Sequence, residues 1–324
     1  MGEIKVMRIF LISSNVASAP YSVYPLGLSM VAGSLRNAGH EVKQFDFLAS
    51  NRSIPKLDEE LKKFSPDIIG VSIRNIDNVN FLNEQRYIEV VEDIVKNIRK
   101  VSKAKIILGG SGFSIMPEAI LDKVGADYGI VGEGESLILE FIEKIKNGST
   151  FKTKILRSSS SLKGKDMPSA FYDDRIMQFY LKSGNIAAVQ TKRGCIYKCI
   201  YCSYPILEGE KIRIRDAKEV VDDIEVLINK HKAKYIFFTD SVFNDDQGNY
   251  LKVLEEMKFR RLNIPWTAFF KPGKIDTRSL ILMKATGLKA AEIGADAPSD
   301  ITLKGLGKSF LFKDIANKPQ SPTK

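Results

Sequence analysis

The three cysteines of this 324-residue sequence lie within one short segment, TKRGCIYKCIYCSYP (191–205). Cys195, Cys199 and Cys202 follow the spacing C-x3-C-x2-C, and no other cysteine is present. An odd number of clustered cysteines does not build a disulfide framework, so the segment predicts a reducing compartment and a metal or redox site. Thiolates bind zinc or iron–sulfur clusters.

The number of ligands favours a cluster over zinc. A structural zinc needs four ligands, and this segment supplies three; His231 could be a fourth but lies far along the chain. Three thiolates on a four-iron cluster leave one iron open, and an open metal position is where substrate chemistry takes place. The aromatic and apolar residues between the cysteines favour a site that excludes water.

The first half of the chain predicts a parallel sheet wound with helices. Short apolar runs predict five strands, at 6–12, 42–47, 67–73, 104–110 and 128–132. Amphipathic patterns between them predict helices at 25–38, 84–101 and 134–146. This alternation is typical of a flavodoxin-like (Rossmann-like) α/β domain, which we expect over residues 1–147.

Residues 148–184 break the alternation. They are rich in Ser, Lys, Gly and Pro and predict a linker. Strands and helices alternate again over 185–316, where about four βα units fit, with a last helix near Ser309. Because a closed barrel needs more units, we expect a partial (β/α) barrel. Residues 317–324 predict a disordered tail.

The cysteine segment, with Tyr201 directly before the third cysteine, resembles the cluster motif of radical S-adenosylmethionine (SAM) enzymes. The resemblance implies a 4Fe-4S cluster held by Cys195, Cys199 and Cys202. It also implies that the open iron chelates SAM, which one electron splits into methionine and a 5′-deoxyadenosyl radical. The barrel would be that of the radical SAM fold.

The N-terminal half resembles the cobalamin-binding domain that precedes the radical SAM domain in a large subgroup of these proteins. The matching stretches are 18–42, 67–73, 106–118 and 125–135. Many cobalamin proteins ligate cobalt with the histidine of an Asp-x-His-x-x-Gly motif. Neither His40 nor His231 lies in such a motif, so the resemblance implies cobalamin without a histidine ligand.

The resemblance also suggests further site residues. Asp240 and Glu292 are the expected catalytic residues, since they lie in barrel strands where the family contacts the SAM amine and ribose. The expected cofactor-binding residues are Tyr201, Ser241, Asp296, Ser72, Gly109, Gly110, Gly112, Gly132 and Glu133. For the glycines, ordinary strand-to-helix turns are the alternative interpretation. For Asp296, the alternative is a carboxylate that caps the next helix.

The overall composition limits the partners. The formal charge of +10 favours anionic partners, although scattered solvated lysines explain it as well, and nucleic acid is not the expected partner. No apolar run is long enough for a membrane span, and we expect a cytoplasmic protein. The resemblance adds a small-molecule substrate, possibly a lipid precursor, and an electron donor such as flavodoxin or ferredoxin.

Four hypotheses for function stay open at this stage. The first is a cobalamin-dependent radical SAM enzyme that methylates an unactivated carbon. The second is a radical enzyme that uses cobalamin for rearrangement. The third is a tRNA methylthiotransferase, which the absence of cysteines from residues 1–194 disfavours. The fourth is an inactive or split fragment that needs a partner chain to complete its barrel.

Overall fold

Six parallel strands form the sheet of the first unit of the chain, in the order β2-β1-β3-β4-β5-β6. The computed structural model describes residues 6–19, 21–149, 151–158 and 160–316. The described residues up to 162, together with 167–184, form this unit. Its strands are β1 (Arg8–Ser13), β2 (Glu41–Asp46), β3 (Ile68–Ser72), β4 (Lys105–Gly109), β5 (Tyr128–Val131) and β6 (Ile155–Arg157).

Helices cover both faces of this sheet. They are α1 (Leu26–Asn37), α2 (Ile54–Phe64), α3 (Tyr87–Val101), α4 (Ser111–Ile115), α5 (Pro117–Val124), α6 (Gly134–Lys146) and α7 (Asp174–Gly184). Side chains of β1 alternate between two cores: Phe10 and Ile12 pack with α2, α3 and α5, whereas Ile9 and Leu11 pack with α1 and α6. This alternation follows from the two-residue period of a strand.

The second unit contains residues 163–166 and the described residues from 185 onward. Its parallel sheet has the order β12-β11-β10-β7, built from β7 (Ile186–Val189), β10 (Tyr235–Phe238), β11 (Trp266–Phe270) and β12 (Leu288–Ile293). A short antiparallel ribbon joins β8 (Lys192–Arg193) to β9 (Arg213–Ile214). The helices are α8 (Tyr204–Glu208), α9 (Ala217–Asn229), α10 (Asn249–Phe259), α11 (Thr277–Thr286), α12 (Asp300–Gly305) and α13 (Phe312–Ala316), with a 3₁₀ turn at Gly164–Asp166.

Aromatic rings form the centre of the second unit. Trp266 is fully buried. The centre of its ring lies 5.4 Å from the ring centre of Phe238 and 5.2 Å from the ring centre of Phe243. Its indole Nε1–H donates to Thr286 Oγ1 at 3.3 Å, so the polar atom of the ring has a partner inside the core. This packing joins β10, β11 and α11.

The structure confirms the α/β fold class with two parallel sheets, and it changes several details. The segment predicted as a linker, 148–184, contains β6 and α7, and both belong to the first unit. Met177 and Tyr180 of α7 are buried, and the Tyr180 hydroxyl donates to Asp46 Oδ2 at 3.0 Å. The last predicted helix, near Ser309, is the short helix α13, and a further short helix, α12, precedes it. The predicted disordered tail, 317–324, lies outside the described residues.

Gly110 begins the turn from β4 into α4, and its backbone needs glycine for two reasons. Its φ is +96°, and a Cβ would lie 2.5 Å from the Ile73 carbonyl oxygen. We expect Gly110→Ala to lower the free energy of unfolding by about 3 kcal/mol, because backbone strain adds to the clash. Urea denaturation followed by circular dichroism measures this.

Gly39→Ala is the matched control, because Gly39 also has a positive φ, +83°, but no atom lies within 4 Å of its Cβ position. We expect this control to lose about 1 kcal/mol from the left-handed backbone alone. Equal losses in the two variants would contradict the role of close packing at Gly110.

Candidate functional site

The cysteine loop, residues 194–203, leaves β8 and leads into α8. Its first residue, Gly194, has φ +90°, and a Cβ there would lie 2.0 Å from the Lys211 carbonyl oxygen. The Gly194 amide donates to Glu208 Oε2 at 3.1 Å, and the Cys195 amide donates to the Gly209 carbonyl at 3.0 Å. The start of the loop is therefore fixed against the end of α8, and only glycine fits this turn.

The three thiols are close enough to affect one another electrostatically. Cys195 is buried, and burial raises the pKa of its thiol, with the charges of Cys202 and Cys199 acting in the same direction. The Tyr197 amide and the Ser241 hydroxyl hydrogen-bond Cys195 and oppose this rise. A turn between the other two thiols is closed by the Cys202 amide, which donates to the Cys199 carbonyl at 3.1 Å.

This arrangement fits an iron–sulfur cluster better than a single ion. Within the described residues, no three His, Cys, Asp or Glu side chains converge tightly enough to hold one metal ion. In a 4Fe-4S cluster each thiolate binds a different iron, so its ligands surround a larger group than one ion. All three thiols belong to one loop, and two of them are partly exposed.

Asp240, predicted as a catalytic residue, is fully buried, and its catalytic role stays a prediction. Its Oδ1 accepts from the Thr191 amide at 2.7 Å, and its Oδ2 accepts from the Thr191 hydroxyl at 2.5 Å. The buried Lys192 ammonium lies 3.7 Å from Asp240 Oδ2 and 2.9 Å from Asp245 Oδ2. Burial raises the pKa of Asp240, which has no exposed surface for a cofactor. Asp240 holds the chain between β7 and the cysteine loop.

Ser241 and Asp296 contact the cysteine loop, as their assignment as cofactor-binding residues requires. The Ser241 hydroxyl donates to the Gly194 carbonyl at 3.0 Å. The Tyr201 hydroxyl donates to Asp296 Oδ2 at 2.7 Å, and Lys308 Nζ donates to the Tyr201 oxygen at 2.7 Å and pairs with Asp296. Binding of a cofactor by Tyr201, Ser241 and Asp296 stays a prediction.

Glu292 lies on the edge strand β12, opposite Phe269 of β11. The residues of β12 from Lys289 to Ile293 are exposed, and Glu292 is among them. Within the described residues, Glu292 forms no hydrogen bond or ion pair with the cysteine loop. Its catalytic role stays a prediction.

The carboxyl edge of the first sheet brings the remaining predicted residues together. Ser72 ends β3 and Gly109 ends β4, where the two residues are paired. A Cβ at Gly110 would lie 2.9 Å from Ser72 Oγ, and one at Gly112 would lie 3.1 Å from the Arg74 carbonyl oxygen. These two glycines are explained by tight turns. At Gly132, by contrast, no atom lies within 4 Å of the Cβ position.

The carboxyl edge of the first sheet includes a point at which the strand order reverses. β2 lies on one side of β1, whereas β3 to β6 follow in sequence on the other side. The direction in which the strands are added therefore reverses between β1 and β3. Ligands of such sheets bind at the carboxyl ends of the strands beside this reversal. Ser72 is located there, and the Ser14 amide and hydroxyl donate to its carbonyl at 3.2 and 2.9 Å.

Glu133 also follows the carboxyl end of β5, whereas His40 lies at the opposite edge of the sheet. The Glu133 carboxylate accepts from the Leu162 amide at 2.8 Å, a contact within the first unit. His40 is buried and precedes β2, where its Nδ1 accepts from the Met7 amide at the amino edge of the sheet. His231 follows α9 in the second unit. His40 therefore does not lie at the carboxyl edge of the first sheet, and His231 belongs to the other unit.

Sequence reasoning missed three residues that shape the cysteine loop: Gly194, Gly307 and Lys308. Gly307 has φ +73°, and a Cβ there would lie 2.4 Å from the Lys198 carbonyl oxygen. The adjacent Leu306 carbonyl accepts from the Ile200 amide at 3.1 Å. Gly194 directly before the first cysteine was a visible signal, whereas Gly307 and Lys308 lie about a hundred residues away.

We expect Asp240→Ala to destabilise the second unit by about 3 kcal/mol, because it leaves the buried Thr191 amide and hydroxyl without their acceptor. Urea denaturation of the protein without iron measures the loss. Asp222→Ala is the control: Asp222 is exposed and pairs with Arg260, so its removal should cost less than about 1 kcal/mol. Similar losses in both variants would contradict the structural role of Asp240.

Among the described residues, every helix is too short or too polar to cross a membrane. Residues 12–142 match the B12 binding domain, and residues 189–318 match the radical SAM superfamily. Together these two matches span most of the chain, and each falls on one of the two sheets described above.

Individual relatives are similar to this chain over most of its length. The chain is 26% identical to an uncharacterised methyltransferase of Pyrococcus horikoshii, over 94% of this chain and 69% of the relative. It is 23% identical to the tryptophan 2-C-methyltransferase of Streptomyces laurentii, over 95% of this chain and 63% of the relative. The chain thus spans about two thirds of the length of these relatives.

A solved structure has the same fold. The radical SAM methyltransferase TsrM of Kitasatospora setae, with tryptophan and a SAM analogue bound, superposes with a TM-score of 0.82 at 23% identity, over 95% of this chain and 64% of that one. The domain matches and the fold agree: the chain combines a B12 binding domain with a radical SAM superfamily domain that follows it.

Proposed function

We propose that this protein transfers a methyl group from SAM to an unactivated carbon of a small organic molecule. The observation that carries the proposal is the cysteine loop, which presents three thiols at the carboxyl end of the first strand of a parallel βα sheet. The printed names of the relatives support methyl transfer, since two of them are methyltransferases.

The residues present suit the cofactors that this function requires. Cys195, Cys199 and Cys202 would each bind one iron of a 4Fe-4S cluster and leave the fourth iron open for SAM. The carboxyl edge of the first sheet, from Ser72 to Gly132, would hold cobalamin without a histidine ligand. When bound, the cluster supplies the electron that cleaves SAM, and cobalamin carries the methyl group.

The residues of the chain supply position and shielding. The buried Cys195 and the amide of Tyr197 fix one corner of the ligand set, and Ser241 donates a hydrogen bond to the carbonyl that precedes it. The apolar side chains of Ile196 and Ile200 flank the thiols and reduce access of water when a cofactor covers them.

Several finer parts of the proposal rest on the sequence alone. An electron donor such as flavodoxin or ferredoxin is required by the reduction step. A lipid precursor as substrate, a partner chain and a cytoplasmic location stay predictions. The same holds for direct contacts of Glu292, Asp296 and Glu133 with SAM or cobalamin.

We expect anaerobic reconstitution with iron and sulfide to give a brown protein with about four irons per chain. Cys195→Ala, Cys199→Ala and Cys202→Ala should each lose most of the iron and the visible absorbance, because a cluster with two thiolate ligands is poorly held. Ser203→Ala, a change at an exposed residue of the same loop, should keep both. Full iron retention in a cysteine variant, or zinc in place of iron, would overturn the cluster assignment.

The activity itself is tested with SAM carrying a ¹³C-labelled methyl group, with reductant and hydroxocobalamin present. Methyl transfer yields S-adenosylhomocysteine, and radical cleavage yields 5′-deoxyadenosine. Both products from the wild type, and neither from Cys199→Ala, would support the proposal. Formation of 5′-deoxyadenosine alone would instead indicate a radical enzyme that does not transfer methyl.

A further inference from the structure

Both tyrosines between the cysteines are held in the same way. Tyr197 lies between the first and second cysteines, and Tyr201 between the second and third. Each tyrosine hydroxyl donates to an aspartate: Tyr197 to Asp246 at 2.8 Å and Tyr201 to Asp296 at 2.7 Å. The two halves of the loop therefore have equivalent anchors.

A lysine completes each anchor. Lys271 Nζ lies 2.6 Å from Asp246 Oδ1 and 5.0 Å from the centre of the Tyr197 ring. Lys308 Nζ pairs with Asp296 and lies 5.1 Å from the centre of the Tyr201 ring. In each case the ammonium neutralises the carboxylate and also lies near the face of the ring, where a cation is attracted.

Three anchor residues follow successive strands, and the fourth follows a helix. Asp246 follows β10, Lys271 follows β11, Asp296 follows β12, and Lys308 follows α12. The backbone of Lys271 is itself fixed, since its amide donates to Asn244 Oδ1 at 2.8 Å and its carbonyl accepts from Asn244 Nδ2 at 2.9 Å. The lysine side chains of the two pairs are largely buried, 16% exposed for Lys271 and 7% for Lys308.

Surface ion pairs contribute little to stability. In these two pairs the lysines are covered, whereas the side chains of Asp246 and Asp296 are 59% and 35% exposed, so we expect their effect on charge to exceed their effect on stability. Burial opposes the charged form of Lys308, but hydrogen bonds to Asp296 and Tyr201 raise the pKa of its ammonium, and the charge of Cys199 acts in the same direction. Charges near an iron–sulfur cluster change its reduction potential, because the reduced cluster carries one more negative charge than the oxidised one.

We propose that the two Tyr–Asp–Lys triads, Tyr197–Asp246–Lys271 and Tyr201–Asp296–Lys308, are positioning devices that hold the cysteine loop in its cluster-binding shape and set the charge balance around the cluster. This inference rests on the proposed function, since it needs the cluster. Each triad keeps a carboxylate beside the loop electrically neutral, and each anchors one tyrosine through its hydroxyl.

The test uses charge changes of opposite sign. Lys308→Met leaves the Asp296 carboxylate uncompensated, so the reduction potential of the reconstituted cluster should fall. Asp296→Asn leaves the Lys308 ammonium uncompensated, so the potential should rise. Redox titration followed by electron paramagnetic resonance of the reduced cluster measures both shifts. Lys308→Arg keeps the charge and should restore a potential near that of the wild type.

Other variants separate charge from loosening of the loop. Lys304→Met removes an exposed lysine on the neighbouring helix and should leave the potential unchanged. The pair Lys271→Met and Asp246→Asn should repeat the opposite shifts at the other triad. Tyr201→Phe keeps the ring but loses the anchor, so the cluster should be lost severalfold faster to a chelator.

The results that would overturn the triad proposal differ from those that would overturn the proposed function. If the wild type takes up no iron, the proposed function fails. If the cluster forms but Lys308→Met and Asp296→Asn shift its potential in the same direction, or not at all, the proposal for the triads is wrong. Shifts of opposite sign support it, because a merely structural contact would not produce them.

Discussion

The cysteine loop depends on one buried carboxylate. Asp240 ends the segment after β10 and binds the amide and hydroxyl of Thr191, which follows β7. These contacts hold the ends of two neighbouring parallel strands together just before the ribbon that carries the first cysteine. A buried carboxylate without partners would be very unfavourable, so the Lys192 ammonium and the Thr191 donors are needed in the same place.

In the first unit, the loops at the carboxyl edge of the sheet depend on glycine and not on a buried charge. At its carboxyl edge the backbone comes close to itself, and the absence of side chains at Gly110 and Gly112 permits this. The same absence at Gly132 leaves open space instead. Glycine therefore permits close packing after β4, whereas after β5 it permits a left-handed backbone, φ +80° at Gly132, without such crowding.

The fold class and the position of the cysteine loop after a strand were predictable from sequence because they depend on local patterns. Apolar runs mark strands that are buried on both faces, and the cysteine spacing lies within eight residues. The linker prediction for 148–184 differed from the structure because its Ser- and Lys-rich composition hides the buried Met177 and Tyr180 of α7. Helix α2 had a readable signal, Ser53 followed by Pro55, since the Ser53 side chain accepts from the Lys56 amide.

The burial of individual side chains and the contacts between residues far apart in sequence were not predictable. Sequence shows that Asp240 follows a strand, but not that its side chain is fully buried and bonded to Thr191. Lys308 contacts Tyr201 across 107 residues, and no local pattern reports such a contact. Likewise, the alternation of strands and helices in the sequence does not reveal that β12 is an exposed edge strand. Its position at the edge leaves Glu292 exposed.

The single tryptophan gives this two-unit chain an unusual optical property. Trp266 lies in the aromatic core of the second unit, whereas the first unit contributes only tyrosine and phenylalanine to the ultraviolet signal. Fluorescence excited at the red edge of the absorption band therefore reports on the second unit alone. Far-ultraviolet dichroism averages both, so comparing the two signals would show whether the sheets lose their structure together or one after the other.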